Sequence, residues 1–122
     1  MIRTAGLATL LALALSGTAP ALASDAQIAH IAYTAGQIDI SAAEQALAKT
    51  RNPEVRAFAE EMARDHAAVN VQALALVKKL NVTPEANPTS TTLSQQASEE
   101  LAKLKALDGA AFDHAYIANE VA

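Results

Sequence analysis

The chain has 122 residues, with nine Lys and Arg against thirteen Asp and Glu, a net charge of −4 and no cysteine. A length of this order gives one domain that buries roughly two-thirds of its unfolded surface. The missing cysteines exclude a disulfide framework and a lipid-modified N-terminal cysteine, and the acidic balance argues against nucleic acid or anionic lipid, both of which demand a positive surface.

The N-terminus has the order of a secretory signal. Arg3 supplies a positive start, Ala5 to Leu15 is an apolar run broken only by Gly6 and Thr9, and Ser16, Gly17 and Pro20 end it. Ala21-Leu22-Ala23 is the small-x-small pattern accepted by a signal peptidase, so residues 1–23 are expected to be removed before Ser24. The run falls short of the roughly 18 residues that span a bilayer. The mature part, residues 24–122, then carries eight Lys and Arg against thirteen Asp and Glu and no integral membrane segment.

Asp25 to about Thr50 has larger apolar residues at Ile28, Ile31, Ala35, Ile38 and Ala42, the alternating steps of three and four of a helix stripe. Tyr33, Ile40 and Leu47 form a second, sparser line, and Ser24 or Asp25 can cap the start. Arg51-Asn52-Pro53-Glu54 is a helix start with Asn as cap, Pro in the first turn and an acidic group at the positive end of the dipole. A connection this short makes an antiparallel hairpin. The second helix runs to about Leu80 with Val55, Phe58, Met62, His66, Val69, Ala73, Leu76 and Leu80 in strict three-four alternation, a seam expected to press against the first helix and enclose His66.

Pro84 and Pro88 place a loop over 81–90. A third helix is predicted from Thr91 or Thr92 to Leu107 on Leu93, Ala97, Leu101 and Leu104, and Asp108-Gly109 separates it from a fourth that begins with Phe112, Ala115 and Tyr116. Three to four turns of fourth helix cannot cover the first hairpin. An apolar strip is therefore expected to stay open near the hairpin's far end, with self-association as its consequence. Ala dominates the apolar content, so each buried position removes less area from water, at ~25 cal/mol per Å², than a Leu would.

The run from Asn52 to His66, with its Asn-Pro-Glu-Val turn, its Phe58-x-x-x-Met62 step and its Asp65-His66 pair, resembles the family catalogued as domain of unknown function 4142. These are exported proteins with a ferritin-like fold, often labelled outer membrane proteins. Gly109 to Tyr116 is similar to the start of that family's last helix. The resemblance implies an all-α, antiparallel ferritin-like helical bundle of two long helices, one shorter and one truncated; it implies no settled activity. Where the family commonly has two acidic residues two apart in its first helix, this chain has Asp39 and then Ser41. It also ends before the second Asp-His pair usual in the last helix, so a metal site implied by the resemblance lacks ligands there.

A di-iron carboxylate bundle takes Glu-x-x-His on two helices and a Glu on each of two others. Here Ala63 and Ala111 stand three before His66 and His114, and Gln27 three before His30. A looser site remains open, with His66, Asp65 and Glu61 joined by Asp39 or Glu120 from other helices, for iron, manganese or zinc. Otherwise Glu60, Glu61, Arg64 and Asp65 read as a solvated face with a Glu60–Arg64 pair, and His66 as a core histidine tied to Asn70 or to a facing helix. His30 and His114 are isolated, which places them on the surface. No residue order suggests a nucleophile with its base and oxyanion donor, or a phosphate loop.

The sequence thus points to a non-enzymatic protein of the periplasm or outer envelope that works through an interaction surface, in envelope stress or maintenance, without a cofactor. Its partner would be a second copy or another envelope protein. The rival is a metal-binding or redox-protective protein centred on His66. A membrane-surface helix is disfavoured by the negative charge.

Overall fold

The structure, a computed structural model, describes residues 22–122. Four α-helices occupy them: α1 (Asp25–Lys49), α2 (Pro53–Lys79), α3 (Pro88–Lys105) and α4 (Gly109–Glu120). Of the expected leader only Leu22 and Ala23 fall among the described residues, and both are irregular and exposed. The rest of it lies outside them.

Local chemistry sets each boundary. Ser24 opens α1 with a reciprocal cap: the Gln27 amide donates to its hydroxyl at 3.2 Å, and its own amide donates to the Gln27 side chain at 3.1 Å. At the start of α2 the Asn52 carboxamide accepts from the amides of Glu54 and Val55, at 2.9 and 3.3 Å. Arg56 then reaches back to donate to the carbonyls of Leu47 and Thr50, at 2.8 and 3.2 Å. A cation is thereby fixed on the negative end of α1.

Two starts differ from expectation. α3 begins at Pro88 rather than at Thr91 or Thr92, because Asn87 is its cap: the Asn87 side chain accepts from the Ser90 amide and the Ser90 hydroxyl accepts from the Asn87 amide, both at 3.1 Å. Proline fits the first turn, where its missing N–H is not needed. α4 begins at Gly109 rather than Phe112. Gly109 takes φ +57°, a conformation glycine adopts without a Cβ clash, so the residue that ends the connection also opens the helix.

α1 is the helix against which the other three pack, and its contact with α2 is the most extensive. The connection before α3 is tied to the start of α1, where the Glu85 amide donates to the Ala26 carbonyl at 2.9 Å and Asn87 Nδ2 to the Gln27 carbonyl at 3.2 Å. At the other end Gln45 Nε2 and Lys49 Nζ donate to the carbonyls of Leu101 and Lys105, each at 2.9 Å. Hence α3 runs parallel to α1, α2 and α4 run against it, and the described chain is an all-α up-down-up-down bundle.

The core gathers near the α1–α2 turn. It comprises Ala42, Ala43, Ala46, Val55, Ala59, Leu104, Phe112 and Tyr116, and the two aromatic rings of α4 supply most of its bulk. Phe112 and Tyr116 stack with centroids 6.1 Å apart, and Phe58 meets Tyr116 edge-on at 6.0 Å. Lys49 Nζ lies 5.6 Å over the Phe112 ring and 3.2 Å from Asp108, which closes that end.

The expected seam on α2 is rotated in the structure. The least exposed line is Val55, Ala59, Ala63, His66, Asn70, Ala73 and Val77, mostly small residues, and it is this line that faces α1. Asn70 is 6% exposed and lies on Gly36, where a Cβ would stand 2.9 Å from its Cγ. Small side chains let two helix backbones approach closely, so α1 takes the small side of α2 and the larger stripe turns toward α4. Phe58 and Met62 on that stripe pack onto the core. Beyond them Val69, Leu76 and Leu80 remain 58, 55 and 61% exposed, and Ile28 of α1 is exposed as well. The open apolar strip expected at the far end of the hairpin is present.

Gly36→Ala gains up to ~1 kcal/mol of helix propensity but inserts a methyl into a closed contact, which costs about 1–3 kcal/mol. A net loss of stability is expected in urea titrations followed by circular dichroism, largely recovered when Asn70→Ser is added. A Gly36→Ala variant as stable as the parent would contradict the contact.

Candidate functional site

The polar groups that the bundle brings together lie midway along α1 and α2, at the level where α4 stops. Asp39 projects from the same side of α1 as Gly36, one turn further on. His66, one turn before Asn70 on α2, meets it there: His66 Nε2 stands 3.4 Å from Asp39 Oδ2, with side chains 32 and 33% exposed. The imidazole is therefore neither solvated nor enclosed as the sequence suggests, and its partner comes from α1. Asn70 is turned elsewhere, with Nδ2 3.5 Å from the Tyr33 carbonyl.

Glu120, at the end of α4, joins this level and lines a cleft of about 250 Å³ with Asp39, Glu100, Asn119 and Leu104. Burial pushes the Glu120 carboxyl up from 4.5 to about 7, and the nearby charge of Asp39 adds to the shift. One turn earlier Tyr116 is fully buried and its hydroxyl has no protein partner. Burial foremost, then the charges of Glu120 and Asp39, raise its pKa far above the ordinary phenol value. The tyrosine stays neutral, and the site is a proton-holding carboxyl beside an imidazole–carboxylate contact.

The other candidate ligands do not join it. Glu61 and Asp65 are exposed on α2, and Asp65 pairs with its neighbour Arg64 at 3.2 Å, in place of the expected Glu60–Arg64 pair. Glu100, which does line the cleft beside Asp39 and Glu120, pairs with Lys103 at 3.7 Å. Among the described residues no three His, Cys, Asp or Glu side chains are grouped so as to hold a metal ion. Glu100 and Tyr116 are members of the site that sequence reasoning missed. The spacing of Tyr116 and Glu120, one turn apart on the last helix, was the available signal.

His114 is exposed, as its isolation suggests. His30 is half-buried, with Nδ1 3.4 Å from Thr34 Oγ1, and lines a groove of about 360 Å³ between α1 and α3 with Tyr33, Gln37, Ser94 and Ser98. Hydroxyls are plentiful there, but among the described residues no carboxylate pairs with His30 and no serine is bonded to it, so the groove lacks an oriented base. No helix among the described residues is long and apolar enough to cross a membrane.

A hairpin sealed by small residues, two shorter helices closing one half and a half-covered acidic level beneath them together define an all-α helical-bundle protein. The chain belongs to the family described as "Domain of unknown function (DUF4142)", whose model matches residues 11–122. Comparison with curated proteins and with solved structures gives no match.

Glu120 makes stability depend on pH. Because its carboxyl is raised from 4.5 to about 7, the folded state holds a proton that the unfolded chain releases, so this contribution is complete below pH 4.5 and is lost as pH rises through about 7. The urea midpoint is expected to fall over that interval in the parent and to fall less in Glu120→Gln; equal slopes for the two proteins would contradict the assignment.

Proposed function

We propose that this chain is a non-enzymatic helical-bundle protein of the cell envelope, exported to the periplasm or outer envelope, that acts through the uncovered half of α2. The observation that carries the reading is the row Val69, Leu76 and Leu80, each more than half exposed on a helix whose other half is packed. Aliphatic side chains spaced over three turns on one helix face leave an uncovered apolar row, a surface suited to a partner. Export is supported by the signal-like order of residues 1–23. The ferritin-like arrangement expected of the family is here a scaffold, its metal chemistry lost.

One observation favours the second reading, a metal-binding or redox-protective protein: Asp39, His66 and Glu120 come from three helices to one level. The two readings separate on one substitution. Under the interaction reading His66→Ala costs ~1 kcal/mol or less, as for a half-exposed ion pair, and leaves metal content unchanged. Stoichiometric iron, manganese or zinc in the purified parent that disappears with the histidine would establish the rival.

The interaction surface is tested by Leu76→Asp. Helix content and urea midpoint should stay close to those of the parent, because the side chain is exposed, while binding of an apolar dye such as anilinonaphthalene sulfonate should drop severalfold. An unchanged dye signal would remove the strip as a docking surface. N-terminal sequencing of protein recovered from the periplasm should begin at Ser24.

A further inference from the structure

The groove between α1 and α3 is framed by the bundle but not filled by it. Asn87 Nδ2 ties the start of α3 to the Gln27 carbonyl, and Gln45 Nε2 and Lys49 Nζ tie α1 to the carbonyls of Leu101 and Lys105 at the other end. Between these ties, from His30 to Ser41, no side-chain hydrogen bond crosses from α1 to α3 among the described residues. That interval is about 17 Å of helix. Two depressions of about 360 and 670 Å³ run together along it, both lined by His30, Ser94 and Ser98. The polar side chains of each wall are bonded within their own helix. Gln37 Nε2 donates to the Tyr33 hydroxyl at 2.8 Å, Thr34 Oγ1 stands 3.4 Å from His30 Nδ1, and the Ser98 hydroxyl donates to the Ser94 carbonyl at 3.0 Å. The walls are therefore set before anything enters, which lowers the ordering cost of binding.

The lining selects a chemical class. Among the side chains described along the two depressions only Glu99 carries a fixed charge, although 18% of the chain is charged, so nothing there is arranged to pair with an anion or an organic cation. The hydroxyls of Tyr33 and Ser94 both donate and accept, and the carboxamides of Gln37 and Gln95 do each from one atom. Ile38, Ala97 and Leu101, all half-buried, give the narrower depression an apolar floor. A sugar ring presents hydroxyls round its edge and C–H groups on its face, and so matches walls and floor together; the Tyr33 ring adds an aromatic surface with a polar tip. A peptide strand matches less well, since it asks for a free row of backbone donors and acceptors, which two intact helices do not offer. We propose that the α1–α3 groove is a binding site for a short neutral glycan, held by Tyr33, Gln37, Ser94 and Gln95. Lacking an oriented base, it binds the sugar without cleaving it. The groove is separate from the strip on α2, and neither reading rests on the other.

The test is a nuclear magnetic resonance titration of the purified, isotope-labelled protein with triacetylchitotriose and, separately, with maltotriose, which distinguish an acetamido sugar from a plain glucan. Saturable amide shifts confined to residues 30–41 and 90–101 are expected with at least one of them. They should be unchanged when NaCl is raised, because no charge pairing is involved. Tyr33→Ala should abolish binding, and Gln37→Ala and Ser94→Ala should each weaken it about threefold to tenfold, as for the loss of one hydrogen bond. Leu76→Asp should leave it as in the parent. Gln37 and Ser94 are exposed, so their variants should keep the parent's urea midpoint and decide the matter even if Tyr33→Ala fails to fold. No shifts with either saccharide, shifts that do not saturate or that spread over the whole chain, or binding indifferent to both Gln37→Ala and Ser94→Ala would each overturn the site. Shifts of the same residues with spermine or inorganic phosphate but with neither sugar would overturn the neutral class.

Discussion

The contact of Gly36 with Asn70 fixes the rest of the architecture. A helix pair packs at a distance set by the side chains where the axes are nearest, and here one of them has no side chain while the other is a carboxamide lying over the gap. Every residue that α2 turns toward α1 follows from that rotation. Asn70, one of few buried polar side chains, is tolerable there because its amide stands within reach of a backbone carbonyl on the facing helix. The rotation also brings His66 to Asp39 and swings the larger aliphatic residues of α2 away from α1.

Asymmetry along the bundle axis follows. At the turn end, α3 and α4 cover the hairpin and the rings of Phe58, Phe112 and Tyr116 compensate for a core otherwise built largely of alanine. Past the level of Asp39 and Glu120 the cover thins, and α2 has α1 as its main neighbour. The acidic level marks the boundary between these halves. Glu120 can be partly buried there because it keeps its proton near neutrality, which removes the repulsion that two carboxylates at one depth would otherwise suffer.

Much of this was legible in the amino-acid order. The Asn52-Pro53 start, the length of α2 and the connection around Pro84 all depend on local chemistry, and local chemistry is written locally. The exposed strip was legible too, since a short last helix cannot shield a long hairpin. The rotation of α2 was not. Periodicity registers the large aliphatic residues and overlooks Ala59, Ala63 and Ala73, although a glycine in the middle of α1 was a sign that close approach occurs there. The same blindness made His66 look enclosed and offered it Asn70 as a partner, whereas the partner also expected from a facing helix is present in Asp39. Charge partners were the least legible of all: Arg64 turned to Asp65 rather than Glu60, and Glu61 and Asp65 stayed outside, because which of several carboxylates reaches a given group depends on a facing helix that the sequence does not display.

The bonds from Glu85 and Asn87 to the carbonyls of Ala26 and Gln27 bear on the order of assembly. They join residues about sixty positions apart, so the opening turn of α1 gains its lateral anchor only after most of the polypeptide has been synthesised. Chains are made from the N-terminus, and until that tether closes the first turn is held only by its own cap. The other end of α1 waits longer still, since Gln45 and Lys49 donate to the carbonyls of Leu101 and Lys105, so neither end of the helix is fixed laterally until α3 is made.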